Sequence, residues 1–222
     1  MKRTDIISNN LFADYPEFLK DLFASYQYPW EILPHIGDLI ERLYTKYLQN
    51  GYSEYKKGVL VGKGTEIADT ACICAPAIIG CNCEIRHCAY IRGNVIIGDN
   101  CVIGNSSEIK NSVIFNNAQL PHFKYVGDSI IGNYAHMGAG AVCSNFKGDK
   151  TLISVKCEPA IATGLRKFGA VLADNVEIGC GCVLNPGTIV GKNTRIYPLT
   201  SVRGVVPANS IMKTTTSIVP IK

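Results

Sequence analysis

The sequence predicts an all-β solenoid, a three-sided parallel β-helix of hexapeptide repeats with an N-terminal helical cap. Three observations predict it. Apolar side chains recur every sixth residue at Val61, Ile67, Ile73, Ile79, Ile85, Ile91, Ile97, Ile103, Ile109 and Phe115. Small or β-branched residues stand two positions earlier, as at Thr65, Ala71, Cys83, Ala89, Cys101 and Ser107. Glycine or another small residue often follows, as at Gly62, Ala68, Gly80, Gly98 and Gly104. A helix repeats every ~3.6 residues and a half-buried strand every two; a short fixed period beyond both marks stacked coils, each of about three hexads.

The elements follow in order. Residues 1–57 carry no hexads. Within them YPEFLKDLFASYQ predicts a short amphipathic helix, and Ile36, Leu39, Ile40, Leu43, Tyr44 and Tyr47 mark one face of a second. Pro29 and Pro34 bracket the turn between the two. An open coil exposes core and strand edges, so this hairpin is expected to cover one open end of the prism and to pack on a neighbouring subunit. A partner-binding module is the alternative.

Residues 58–210 form the β-helix. The period breaks at LPHFKY, resumes at Ile131 and Met137, and vanishes between Asn145 and Gly169. It runs again through Leu172, Ile178, Leu184, Val190, Ile196 and Val202. The second lapse predicts an arm at 145–169 standing off one face. Its cations Lys147, Lys150, Lys156, Arg166 and Lys167 fit either a solvated excursion or an arm that meets phosphate groups. Residues 211–222 form a C-terminal tail, extended from Pro207 onward.

Composition narrows the function classes. Apolar residues make up 47% and charged residues 18% of the 222 positions, as in a chain able to build a large core. The net charge of +4 is too mild for a nucleic-acid binder. The opening MKRTDIISNN lacks the apolar run of a signal peptide, and no segment reaches the roughly 20 apolar residues of a membrane span, so a cytoplasmic protein is expected. The 10 cysteines are expected to be reduced, with Cys83, Cys101 and Cys182 pointing inward as small hydrophobes. The crowded set Cys72, Cys74, Cys81, Cys83 and Cys88 has C-x-C spacing rather than the C-x2-C of zinc ribbons, and no metal is expected there.

Two features point to chemistry. Arg92 and Lys110 each follow an inward isoleucine one coil apart, so they should project side by side; two cations with no acid between them would form a phosphate clamp. The segment LPHFKYVGDSIIGNYAHMGAGAVCSN holds His122, Tyr125, His136, the small residues Gly138, Ala139 and Gly140, and Asn145. Glycine and alanine let a ligand approach the backbone and take its N–H groups.

These hexads resemble the hexapeptide-repeat acyltransferases, whose prism is a left-handed parallel β-helix. That hand is implied by the resemblance, because the usual crossover rule would give the other. IRGN, EIKNS, LPHFKYVGDS and IGNYAHMGAGAVCSN together resemble the acetyltransferase half of the bifunctional glucosamine-1-phosphate acetyltransferase/N-acetylglucosamine-1-phosphate uridyltransferases. TGLRKFGAVLADNVEIG is closer to archaeal-type sugar-phosphate nucleotidyltransferases. The resemblance covers most of residues 60–210. It implies acetyl transfer from acetyl-CoA to the amine of a hexosamine 1-phosphate, glucosamine 1-phosphate foremost, in nucleotide-sugar biosynthesis. It implies that Arg92, Lys110 and Tyr125 hold the sugar phosphate and that His122 is the general base. The Ala139 N–H would stabilise the oxyanion, and Asn145 would orient the amine or sugar. Arg166, Lys167 and Cys180 would face the coenzyme, in a homotrimer with sites between subunits. His136 stands where the family usually has asparagine against the sugar, so it could also rival His122 as base; Phe146 stands where tyrosine is common. No G-x-G-T-R loop occurs, so uridyl transfer is not expected.

Two other classes compete. A hexapeptide-fold metalloenzyme of the γ-carbonic anhydrase kind needs three convergent histidines with a close pair, which His35, His87, His122 and His136 do not supply. A non-catalytic trimeric assembly or regulatory module, partnering a separate nucleotidyltransferase, is the alternative function.

Overall fold

Each hexad gives two to four residues of strand and then a tight corner. Asparagine takes many of those corners with positive φ, as at Asn82, Asn94, Asn100, Asn111 and Asn117, because its short polar side chain tolerates the left-handed region. The computed structural model describes residues 3–16, 19–20, 23 and 25–221. Strands of successive coils pair in parallel and build three sheets, here called faces one, two and three. Face one runs from Val59–Val61 through Ala77–Ile79 and Val95–Ile97 to Val205–Val206. Face two runs from Glu66–Ile67 to Ser210–Thr214, and face three from Cys72–Ile73 to Ser201–Val202. The all-β solenoid with a small helical N-terminus is therefore the architecture found.

The interior rungs hold to register. On face one Ile79 pairs with Ile97, Ile97 with Ile114, Ile114 with Ile131 and Ile131 with Leu172. Two sequence expectations change here. The coil does not break at LPHFKY: Leu120 stacks on Ile103 and Val126 on Ile109. Two corners are one residue short instead, so Ile114 follows Ile109 and Ile131 follows Val126 at five-residue steps. Phe115 is accordingly not an interior rung. It occupies the place that Gly98 and Gly132 take in neighbouring coils and turns outward, its ring 4.7 Å from Phe12 and 5.6 Å from Phe23.

The N-terminal segment lies along face one rather than over an open end. Leu11 and Ala13 bond to Asp174, Trp30 packs on Phe168, and Gly37 of the helix Ile36–Gln49 lies against Asn94. The reason is a second apolar row. Leu60, Ile78, Ile96, Val113, Ile130, Val171 and Ile189 are all fully buried beside the interior rung of face one. A sheet with both surfaces apolar needs a cover along its flank. The second helix is as expected, whereas Pro29–His35 forms a 3-10 helix instead of a turn. The stretch YPEFLKDLFASYQ falls partly outside the described residues.

Antiparallel strands cover one edge of face one and one edge of face two. Ser53–Lys56 pairs with Val59–Val61 at one end, and Ser217–Pro220 with Ser210–Thr214 at the other. The tail thus folds back as a hairpin, which blunts an edge open to pairing. The insertion after Asn145 contains a small hairpin, Ser154–Val155 against Ile161–Ala162.

Phe115→Ala should destabilise the fold by about 3–5 kcal/mol, because it empties a fully buried aromatic site. Denaturant unfolding measures this; a loss below about 1 kcal/mol would mean that the N-terminal segment does not depend on that ring.

Candidate active site

Face one is covered, so chemistry must use faces two and three. Face three presents Tyr90, Glu108, Tyr125, Val142, Val183 and Ser201 to the outside along successive coils. A corner bounds it on each side, and most of the residues singled out above lie at or beside these two corners, His136, Arg166 and Lys167 being exceptions.

The corner between faces three and one holds Arg92, Lys110, Asp128 and Asn145. Arg92 and Lys110 do lie on adjacent coils at one corner: the Arg92 N–H donates to the Ile109 carbonyl at 2.8 Å. The expected absence of acids between them is overturned. Arg92 meets Glu108 at 2.8 Å and Lys110 meets Asp128 at 3.4 Å. Asp128 also accepts a hydrogen bond from Asn111 at 2.9 Å and one from Asn145. Asn145 donates to the Tyr125 hydroxyl at 3.1 Å. Burial pushes the Tyr125 phenol up, an effect that the Asn145 bond opposes. Lys110, Tyr125 and Asn145 thus form one group joined by Asp128, and Arg92 pairs beside it with Glu108; the sequence reading included neither carboxylate.

The corner between faces two and three holds His122, Ala139 and Cys180 on three successive coils. The Gly140 N–H donates to the His122 carbonyl at 3.3 Å, and the Gly181 N–H to the Ala139 carbonyl at 2.8 Å. His122 and Cys180 are exposed and Ala139 is half-buried. The strand Tyr125–Gly127 separates the two corners; three residues of strand are roughly 10 Å. His136 stands elsewhere, on face two, where its ring bonds Glu177 at 2.9 Å. Arg166 and Lys167 are exposed at the foot of the arm, next to Phe168, whose N–H donates to the Asn145 carbonyl at 3.0 Å. The residues expected to face a coenzyme are therefore divided between the two edges of face three.

Two further features escaped the sequence reading. A cleft of about 440 Å3 opens between the arm and the prism, lined by Phe146, Lys147, Lys156, Asn185 and Arg203 among others. Arg203 lies at the same corner as Arg92 and Lys110, several coils on, and periodicity alone could have placed it. The other is Lys124, only 3% exposed, whose ammonium donates to the carbonyls of His122 at 2.9 Å and Gly138 at 2.7 Å. Burial lowers its pKa to about 8. It sits two residues before the rung residue Val126, where the repeat otherwise has a small side chain, and a break assigned at LPHFKY hides that position.

Among the described residues no three His, Cys, Asp or Glu side chains converge as metal ligands. No helix is long and apolar enough to cross a membrane. Inside the prism the Cys83 and Cys101 thiols each donate to a corner carbonyl at 3.0 Å.

A buried ammonium with a lowered pKa makes a signed prediction. The unfolded chain holds the Lys124 proton up to about pH 10.5, while the folded chain releases it near pH 8. Charged Lys124 therefore costs stability below pH 8, and that cost fades as pH rises towards 10.5. The stability difference between wild type and Lys124→Met should shift in favour of wild type across this window. Parallel urea titrations of the two proteins measure it, and a pH-independent difference would contradict it.

Residues 73–178 match the family described as GMPPB C-terminal domain. A Bifunctional protein GlmU from Methanococcus vannielii is 39% identical over 83 residues, 37% of this chain and 20% of that protein. A Bifunctional sugar-1-phosphate nucleotidylyltransferase/acetyltransferase from Sulfurisphaera tokodaii is 35% identical over 86 residues, 38% of this chain and 21% of that one. The chain thus spans about a fifth of the length of these curated relatives. Among solved structures, an Arabidopsis UDP-N-acetylglucosamine acyltransferase superposes with a TM-score of 0.49 at 14% identity, covering 70% of this chain and 61% of that one. Over its central coils the chain matches the GMPPB C-terminal domain family and resembles the bifunctional sugar-1-phosphate acetyltransferases, as its motifs predict.

Proposed function

We propose that this chain is an acyl-CoA-dependent transferase that moves acetyl from acetyl-CoA to the amine of a hexosamine 1-phosphate, with glucosamine 1-phosphate the first candidate. One observation carries the reading. A hydrogen-bonded corner with Arg92 and Lys110, each paired with a carboxylate, beside Tyr125 and Asn145, lies across one short strand from a corner with an exposed imidazole and small-residue backbone at His122 and Ala139.

In this reading the sugar lies on face three, with its phosphate towards Arg92 and Lys110. The phosphate displaces Glu108 from Arg92, which is inexpensive because an ion pair open to solvent is weak. The amine points towards His122. His122 takes the amine proton as nitrogen attacks the thioester carbonyl; the C–N bond forms, the C–S bond breaks, and the proton passes from His122 to the leaving sulfur, so that the coenzyme departs as thiol. Histidine suits the step because its ordinary pKa lies near working pH. The Ala139 N–H donates to the developing oxyanion. Acetyl-CoA lies over the same face, its thioester towards Ala139 and Cys180 and its phosphates towards Arg166 and Lys167. A homotrimer belongs to the proposal. His136 lies away from face three in its own chain, and a neighbouring subunit's face two would return a His136 to the site.

The test is acetyl-CoA with a panel of amino-sugar phosphates, followed by thiol release. Glucosamine 1-phosphate should turn over; no turnover with any acceptor would favour the assembly module. His122→Ala should lower kcat by roughly 10²–10⁴ and leave the oligomeric state unchanged. Lys110→Ala should chiefly raise KM for the sugar phosphate, and an unaltered KM would remove Lys110 from the phosphate site.

A further inference from the structure

The repeat sets a rule that Lys124 departs from. At its position, two before the rung residue, other coils carry Ala89, Ser107, Ala141 and Cys182, all fully buried. Where such a residue has a donor, it bonds a backbone carbonyl at or just before the next corner, as Ser107 does to Leu120 at 3.4 Å and Cys182 to Tyr197 at 3.1 Å. Lys124 makes the same kind of bond, to Gly138 at 2.7 Å, but with a charged group. A neutral hydroxyl or thiol satisfies the carbonyl without burying a charge. Local rules broken at a cost to stability tend to mark function.

The bond's destination gives the function. The Gly138 carbonyl and the Ala139 N–H belong to one peptide group. An ammonium held against the oxygen of a peptide draws electron density from its nitrogen and makes the N–H a stronger donor. We propose that Lys124 is a positioning residue of the transfer site: it polarises the Gly138–Ala139 peptide from behind, so that the Ala139 N–H meets an oxyanion more strongly, and through the His122 carbonyl it ties the base's backbone to the same point. The inference rests on the acetyl transfer proposed above. The titratable groups facing Lys124 are the Cys143 and Cys180 thiols and, two residues earlier at the end of the preceding strand, His122. Burial pushes the Cys143 thiol up to about 12, so it remains neutral. Among the described residues no carboxylate bonds Lys124, so its charge is directed at the two carbonyls.

The test uses the full chain with Lys124→Met and, in case the first does not fold, Lys124→Gln. Neither should lower the melting temperature at pH 7. Each should lower kcat on the order of tenfold, less than the full loss of an oxyanion donor, with KM for the sugar phosphate unchanged. A basic limb near pH 8 in the wild-type kcat profile should disappear in both. The amide resonance of Ala139, read without substrate, should titrate near pH 8 in wild type and not in either variant. An Ala139 amide that does not titrate, or variants with wild-type kcat and an intact basic limb, overturns the proposal for Lys124 alone. A wild-type chain that acetylates nothing overturns the parent reading, and the amide titration still decides the polarisation.

Discussion

The structure depends on a constraint that acts at every turn: each coil must set its aliphatic residue squarely on the one before. Ile85 lies on Ile67, Ile103 on Ile85 and Leu120 on Ile103, and each step also aligns the backbone hydrogen bonds between coils. A one-residue slip in a strand turns its side chains to the opposite surface. The register is therefore kept even where the chain is shortened, and the corners absorb the difference. Corners in turn leave carbonyls facing the interior. Thr65, Cys83, Cys101, Thr188 and Thr194 answer them with inward hydroxyls or thiols. The abundance of cysteine follows in part, since a thiol is small, apolar enough to bury and still a weak donor.

The three faces then diverge. Face one is apolar on both surfaces and is occupied by the N-terminal segment, whose Phe12, Tyr15 and Phe23 surround Phe115. Face two carries charges such as Glu84, Glu177 and Arg195 outward. Face three is flanked by one corner rich in cations and amides and another with an exposed imidazole. The two sets of groups stand one short strand's length apart, at the two ends of Tyr125–Gly127 and its neighbours.

Much of this was legible in the sequence, for a physical reason. A stack of identical coils turns position in the repeat into position in space, so Arg92 and Lys110 could be set side by side from their numbers alone. What escaped was whatever altered the count. Shortened corners after Ile109 and Val126 shifted the frame by one residue each, which hid Leu120 and Val126 as rungs, Phe115 as an outward anchor and Lys124 as an interior residue. The carboxylates of Glu108 and Asp128 were missed because ion pairing across coils depends on corner geometry rather than on period. The covered flank was readable in principle: the doublets Ile78–Ile79, Ile96–Ile97 and Ile189–Val190 each place one apolar residue outward. The six-residue step by itself marks only the inward member of each doublet.

The N-terminal segment has a mechanical consequence. A repeat array in which each unit touches only its neighbours unravels from its ends, one unit at a time. Here the same stretch of chain bonds Asp174 through Leu11 and Ala13, then continues to Asn94 and the strand before the first rung. Coils far apart in the pile are thereby laced by a single cord, and opening an outer one means peeling the cord from others. A linear object acquires the all-or-none melting of a compact domain.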